Sequence, residues 1–276
     1  MDEGVLRGKR EDVSGRLREL GRVVVAVSGG VDSAVLLALA VEALGREPVL
    51  AVTAVSASLS ERDAKDARKL ARGLGVRHLE LRTGELDDPA YRRNGPDRCY
   101  HCRRTMFRSL KEIAEKQGFG HTVYGAIADD VGDFRPGMEA ARQEGVEAPM
   151  ADAGITKEEV RALARECGLD PWDKPAGGCL STRIPFGTEI TADRLRQVEA
   201  AEEALARLGF GVVRVRHHGE VARVELDDDG LDRVLDRSVR ARVVAAARSA
   251  GFRFVALDLE GYRRGSLNPP SAVRKP

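Results

Sequence analysis

The sequence predicts an α/β protein, with a doubly wound parallel sheet followed by a smaller C-terminal α+β domain. Two observations carry this expectation. Through the first half, short apolar runs alternate with helix-patterned segments, the order expected of parallel strands joined by crossover helices. The run Val23–Val27 is also apolar at every position, which suits a strand covered on both faces.

The elements follow in order. Ser33–Leu44, rich in Ala and Leu, reads as a helix, and Val49–Val55 as a second strand. Glu61–Leu74 is a polar-faced helix closed by Gly75, and His78–Leu81 a short third strand. Cys102–Gln117 reads as a helix stopped by Gly118, with Thr122–Gly125 as the fourth strand. A capping box, Thr156 with Glu159, opens the helix Lys157–Cys167. The Gly- and Pro-containing stretch Gly168–Thr188 is expected to be a long functional loop. Beyond it come an amphipathic helix to about Leu208 and the strands Val212–Arg216 and Val221–Leu226, joined by a turn at 217–220. Helices over Asp229–Leu235 and Ser238–Ser249 and a strand Phe254–Leu257 complete the chain. The expected division is a first domain over 1–168, the loop over 169–190 and a second domain over 191–276.

Composition narrows the function. With 42% hydrophobic and 32% charged residues the chain is too apolar for a disordered protein. It also lacks any run near the ~20 apolar residues needed to cross a bilayer. The start Met1-Asp2-Glu3-Gly4 has no basic-then-apolar signal pattern, so a cytoplasmic location is expected. A formal net charge of +1 argues against wholesale nucleic-acid binding. Four cysteines are too few for a disulfide scaffold and point to metal binding or catalysis.

The strongest motif is Ser28-Gly29-Gly30-Val31-Asp32-Ser33, set between a buried strand and a helix. Glycines there let backbone N–H groups close on an anion, and the helix adds its positive dipole end. The two serines supply further donors, and the lysine of the Gly-Lys-Ser/Thr loop is absent.

Cys99-Tyr100-His101-Cys102 lies among Arg98, Arg103 and Arg104, a setting that favours thiolates. Such a pair could serve zinc, an iron–sulfur cluster or redox chemistry. Cys179 follows two glycines and lies between Lys174 and Arg183, as a reactive cysteine would; Cys167 reads as a small buried residue. Three thiolates suit a [4Fe–4S] cluster with one open iron, whereas zinc would want a fourth ligand from His101 or Cys167. Arg214 and Arg216 alternate along a strand and so share a face, as a phosphate clamp would require. His217 and His218 read as turn residues.

The Ser28–Ser33 loop resembles the SGGxDS signature of the PP-loop ATP pyrophosphatases. Taken with Asp97–Cys102, Asp129–Gly137, Trp172–Pro175, Cys179–Gly187, Arg214–Gly219 and Asp258–Arg263, the chain resembles the LarE family of PP-loop sulfur transferases nearly end to end. That resemblance implies cleavage of ATP between its α- and β-phosphates through Ser28, Gly29, Gly30, Asp32 and Ser33, with Asp32 and Cys179 in catalytic roles. It implies adenylation of pyridinium-3,5-biscarboxylate mononucleotide and conversion of its carboxylates to thiocarboxylates. The sulfur would come either from a sacrificed Cys179 or from a [4Fe–4S] cluster on Cys99, Cys102 and Cys179, and the three cysteines favour the cluster. Mg²⁺ is expected near Asp129, Asp130 or Asp133. Ile127 stands where asparagine is expected, which puts an amide contact to the adenylate in doubt. The expected partners are the small nucleotide substrate, further copies of the chain in a homo-oligomer, a sulfur donor and a downstream nickel-inserting enzyme. The rival readings are a tRNA-thiolating enzyme and an amide-forming adenylating ligase.

Overall fold

The computed structural model describes residues 2–130, 136–169, 178–263 and 266–267. In chain order its elements begin α1 Glu3–Leu20, β1 Val23–Ala26, α2 Val31–Leu44, β2 Val49–Val55, α3 Glu61–Leu74 and β3 Arg77–Arg82. Next come α4 Pro89–Arg92, α5 Arg98–Lys116, β4 His121–Tyr124, α6 Pro136–Gln143, α7 Pro149–Asp152 and α8 Lys157–Glu166. The last are α9 Ala192–Arg207, β5 Val213–His218, β6 Val221–Leu226, α10 Asp228–Arg233, α11 Arg237–Ser249 and β7 Phe254–Leu257. The chain divides into two compact units, Met1–Glu85 with Cys99–Gly177, and Leu86–Arg98 with Gly178–Pro276.

The first unit holds a four-stranded parallel sheet in the order β3-β2-β1-β4. Alternation along β1 sends its side chains to two cores. Val23 and Val25 pack with Leu17, Val35, Leu36, Leu39, Val160 and Leu163, while Val24 packs with Leu50, Val52, Phe107 and Leu110. Each fully buried Leu or Val contributes about 1.5–3 kcal/mol relative to exposure, so helices on both faces are what keep the all-apolar β1 out of water. From β1 the chain winds outward through β2 to β3, then returns to β4 on the other side of β1. The switch point therefore lies between β1 and β4, where open sheets bind their ligands at the strands' carboxyl ends.

Several elements depart from expectation. α1 is not evident in the sequence because its surface is densely charged. Only Leu6, Val13, Leu17 and Leu20 form its apolar stripe, and Asp2 caps it through Gly4 N and Val5 N. α5 starts at Arg98 rather than at Cys102, so Cys99 and Cys102 both lie within the helix, near its start. Nothing between Pro96 and Cys102 opposes helix, and Arg98 N already donates to Gly95 O. The capping box of α8 is formed as expected.

In the second unit β5 pairs antiparallel with β6, and β6 pairs parallel with β7. α9 packs on β5 and on α11, burying Leu195, Val198, Leu205, Val215, Val224 and Phe252. The histidines expected in a turn extend β5 instead. His217 pairs with Ala222 and His218 with Val221, so Gly219 and Glu220 alone make the hairpin turn, with Gly219 at φ 64°. His217 is buried.

Candidate functional site

The loop Ser28–Gly30 leaves the end of β1 and feeds α2, whose N-cap Gly30 makes no side-chain hydrogen bond. The first-turn N–H groups are thereby left for an anion. Gly29 has φ 75°, and a side chain there would collide with the backbone of Asp63. Gly125, just past β4, is pressed as closely on the loop: a Cβ would lie 2.8 Å from Ser33 N. Buried Ser33 shapes the turn. Its hydroxyl donates to Gly30 O at 2.9 Å and accepts from Ser28 N at 3.1 Å, with Ser28 Oγ at 3.3 Å.

A lysine that the loop itself lacks comes from α8. Lys157 Nζ donates to Asp32 Oδ1 at 2.6 Å, and Lys157 N donates to Asp129 Oδ2 at 2.8 Å. Nothing in the local sequence, where Lys157 follows the capping residue Thr156, points it at the loop. The available signal was a cation in a first helical turn, where the dipole disfavours it. Asp130 turns inward on its own loop, its Oδ2 accepting from Ile127 N at 3.2 Å. Ile127 packs in the core at 3% exposure and presents no polar group, so the amide doubted from the sequence has no substitute there. Asp133 and Lys174 lie outside the described residues.

Cys99 is exposed and Cys102 half-buried, three positions apart on one helical turn, and neither is in a disulfide. Cys102 Sγ donates to Glu85 Oε1 at 3.8 Å, and buried Glu85 also accepts from Thr83 Oγ1 at 3.0 Å. Cys167 is the C-cap of α8 and half-buried, more open than expected; burial raises its thiol pKa. Within either unit, no group of three or more His, Cys, Asp or Glu side chains among the described residues is gathered as around a metal ion.

In the second unit Cys179 is the N-cap of a 3₁₀ turn, Leu180–Arg183. Arg183, 4% exposed, donates to Gly178 O at 3.0 Å and Cys179 O at 3.1 Å, and forks onto Glu202 at 2.9 and 3.1 Å. Burial opposes its charge, but Glu202 outweighs burial and holds the guanidinium above its ordinary pKa. Arg214 behaves oppositely: burial, then the like charge of Arg183, lowers its pKa. Its guanidinium lies 5.1 Å from the Tyr262 ring centre and donates to Val213 O. Arg216 is buried, donating to Thr182 O at 3.0 Å and to fully buried Glu225 at 2.7 Å. Glu225 also accepts from Arg223 at 3.0 Å and Ser266 Oγ at 2.7 Å.

A family model described as NAD synthase matches residues 12–91, the segment containing the phosphate loop. The pyridinium-3,5-bisthiocarboxylic acid mononucleotide synthase of Lactiplantibacillus plantarum is 38% identical over 263 residues, 95% of each chain. An uncharacterised protein of Synechocystis sp. is 39% identical over 264 residues, covering 96% of this chain and 98% of that one. A tRNA-specific 2-thiouridylase of Caulobacter sp. is more distant, 30% identical over 239 residues and 57% of its own length. The chain belongs to the LarE family and is an ATP-using PP-loop sulfur transferase.

Proposed function

We propose that the protein adenylates the carboxylates of pyridinium-3,5-biscarboxylate mononucleotide and exchanges an oxygen of each for sulfur. The observation that carries this is the phosphate loop at the β1/β4 switch point, joined by the Lys157–Asp32 pair, in a chain matching the Lactiplantibacillus plantarum synthase over 95% of its length. A carboxylate is a poor electrophile because oxide would have to leave. Attack of a carboxylate oxygen on the α-phosphorus of ATP releases pyrophosphate and gives an acyl-adenylate. A sulfur nucleophile then attacks the acyl carbon and AMP departs with the original oxygen.

In this scheme Ser28, Gly29, Gly30 and Ser33 hold the leaving pyrophosphate, and Lys157 supplies the cation beside it. Asp32 aligns Lys157, and Asp32, Asp129 or Asp130 would offer oxygen ligands for Mg²⁺. Arg214 would take the substrate phosphate through charge-assisted hydrogen bonds, and Arg216 fixes the strand beside it through Glu225.

The cysteines fit a [4Fe–4S] cluster in kind and number. Cys99 and Cys102 would hold it from one helical turn, with Cys179 from the second unit as third ligand. Bound there, the cluster would supply an iron site able to carry exogenous sulfide. A sulfur donor, a downstream nickel-inserting enzyme, homo-oligomeric assembly and a cytoplasmic setting complete the reading.

The test is product analysis with ATP, the biscarboxylate mononucleotide and sulfide. AMP, pyrophosphate and a thiocarboxylate are expected. ADP with phosphate would refute adenylation, and an amide formed from ammonia would select the ligase reading.

A further inference from the structure

The stretch Leu86–Arg98 ends immediately before the cysteine pair, yet it belongs to the second unit. Polar bonds onto the Cys179 turn, at Ser181, and onto the segment that follows it, 184–188, hold it there. Among the described residues Asn94 is the non-glycine position with positive φ, 56°, and it is fully buried. Its side-chain amide donates to Ile184 O at 3.2 Å, Pro185 O at 2.8 Å and Thr188 O at 2.9 Å, and its backbone carbonyl accepts from Gly187 N at 3.0 Å. Arg98, 5% exposed, donates from Nη1 to Asn94 Oδ1 at 2.6 Å and to Ser181 O at 3.0 Å, with its guanidinium over the Phe186 ring. The Tyr91 hydroxyl pairs with Ser181 Oγ.

The 3₁₀ turn already has its own bonds, Thr182 N to Cys179 O and Ile184 N to Ser181 O. The extra buried donors do not create the turn; they fix where it stands. Arg183 grips Gly178 O and Cys179 O from one side, and Arg98 grips Ser181 O from the other. The bonds onto the turn fall on its backbone carbonyls or on the Ser181 and Thr182 hydroxyls, and none of them uses the half-exposed Cys179 thiol. A left-handed backbone is uncommon outside glycine and persists where its surroundings over-determine it, often at functional sites.

We infer that Asn94 and Arg98 are positioning residues for Cys179, holding its backbone so that the thiol is presented in one place for the sulfur step. The inference rests on the proposed sulfur role of Cys179. Misplacing a reacting group by an ångström can cost about 100-fold in rate, which sets the expected effect.

The experiment compares first-turnover pyrophosphate release with thiocarboxylate formation, using ATP, the biscarboxylate mononucleotide and sulfide. Asn94→Ala, Asn94→Gly and Arg98→Ala should each slow thiocarboxylate formation about 100-fold while pyrophosphate release stays within about twofold. Asn94→Gly is informative because it keeps the left-handed backbone and removes only the amide. Millimolar guanidinium should partly restore Arg98→Ala, and ammonium at the same concentration should not. Full activity in Asn94→Gly and Arg98→Ala would overturn the inference, as would parallel loss of both steps in every variant, which marks a folding role. Cys179→Ser separates this from the underlying reading. If that variant still transfers sulfur, the role of Cys179 fails and the inference with it; if transfer is lost there but intact in the others, the inference alone fails.

Discussion

Lys157 and Asp32, 125 positions apart in sequence, form an ion pair of 2.6 Å at the mouth of the phosphate loop. Both are partly exposed, at 22% and 32%, so the pair adds little to stability and its value lies in where it holds charge. Pyrophosphate leaving the loop develops negative charge next to the ammonium, and the neighbouring carboxylate keeps the lysine from swinging into water.

Lys157→Ala is therefore expected to lower kcat/KM for pyrophosphate release on the order of 100-fold, with little change in Tm. Asp32→Ala should fall comparably, and the double variant should lose little beyond either single change, because coupled residues are not additive. Full additivity in a double-mutant cycle on pyrophosphate release would show that the two act separately.

The phosphate loop was legible in the sequence because its chemistry is local: glycine, serine and a following helix suffice to describe it. Lys157 was not, because it reaches the loop through the packing of α8 on α2, and no local pattern encodes that approach. The same limit applies to Asn94 and Arg98, whose partners lie some 90 positions onward. Strands β2 and β7 were read with their observed bounds since apolar runs between breakers mark them plainly. α1 is not evident because four buried apolar side chains among eighteen residues are too sparse a stripe to stand out from its charges.

Arg214 and Arg216 share a strand face but should respond differently to loss. Arg216→Ala would strand Glu225, fully buried, with Arg223 as its remaining cationic partner among the described residues, at about 3–5 kcal/mol for breaking a buried pair. A marked drop in Tm is expected. Arg214→Ala removes a cation whose pKa burial and Arg183 already lower, so stability should hold while substrate KM rises about tenfold or more and ATP affinity stays unchanged. Thermal melts and KM for both ligands decide it; weaker ATP binding in Arg214→Ala would contradict the phosphate assignment.

His217 should make the second unit sensitive to mild acid. It is 4% exposed, its Nε2 is 3.1 Å from Gln197 Oε1, and its ring meets Phe252 edge-on. Burial, then the charge of Arg194, lowers its pKa. The unfolded chain, with an ordinary histidine pKa of about 6.5, takes up the proton more readily than the folded chain. Its stabilising contribution is therefore complete above that value and is lost as pH falls toward the lower folded value. Tm should decline between about pH 7 and 5, and His217→Gln should flatten that decline while lowering Tm at neutral pH. An unchanged pH slope in the variant would remove His217 from the account.

The cysteines offer the sharpest separation of mechanisms. Cys99 and Cys102 stand on one turn of α5, and Cys179 opens a turn of the second unit whose carbonyls are held by Arg98 and Arg183. If all three bind a [4Fe–4S] cluster, anaerobically prepared protein should carry about four irons per chain. Cys99→Ala, Cys102→Ala and Cys179→Ala should each lose iron, whereas Cys167→Ala, at the C-cap of α8, should retain it. Glu85 adds a further arm, because its carboxylate accepts the Cys102 thiol; Glu85→Gln should alter iron loading without affecting pyrophosphate release. The sacrificial route forecasts the opposite pattern. The Cys179 thiolate would attack the acyl-adenylate, AMP would leave, and loss of the Cα proton would break the Cβ–Sγ bond, leaving dehydroalanine. Intact-mass measurement would then find the chain lighter by one H₂S after a turnover, with Cys99→Ala as active as the parent in that turnover. Dehydroalanine at position 179 together with an active Cys99→Ala would exclude the cluster route and leave adenylation untouched.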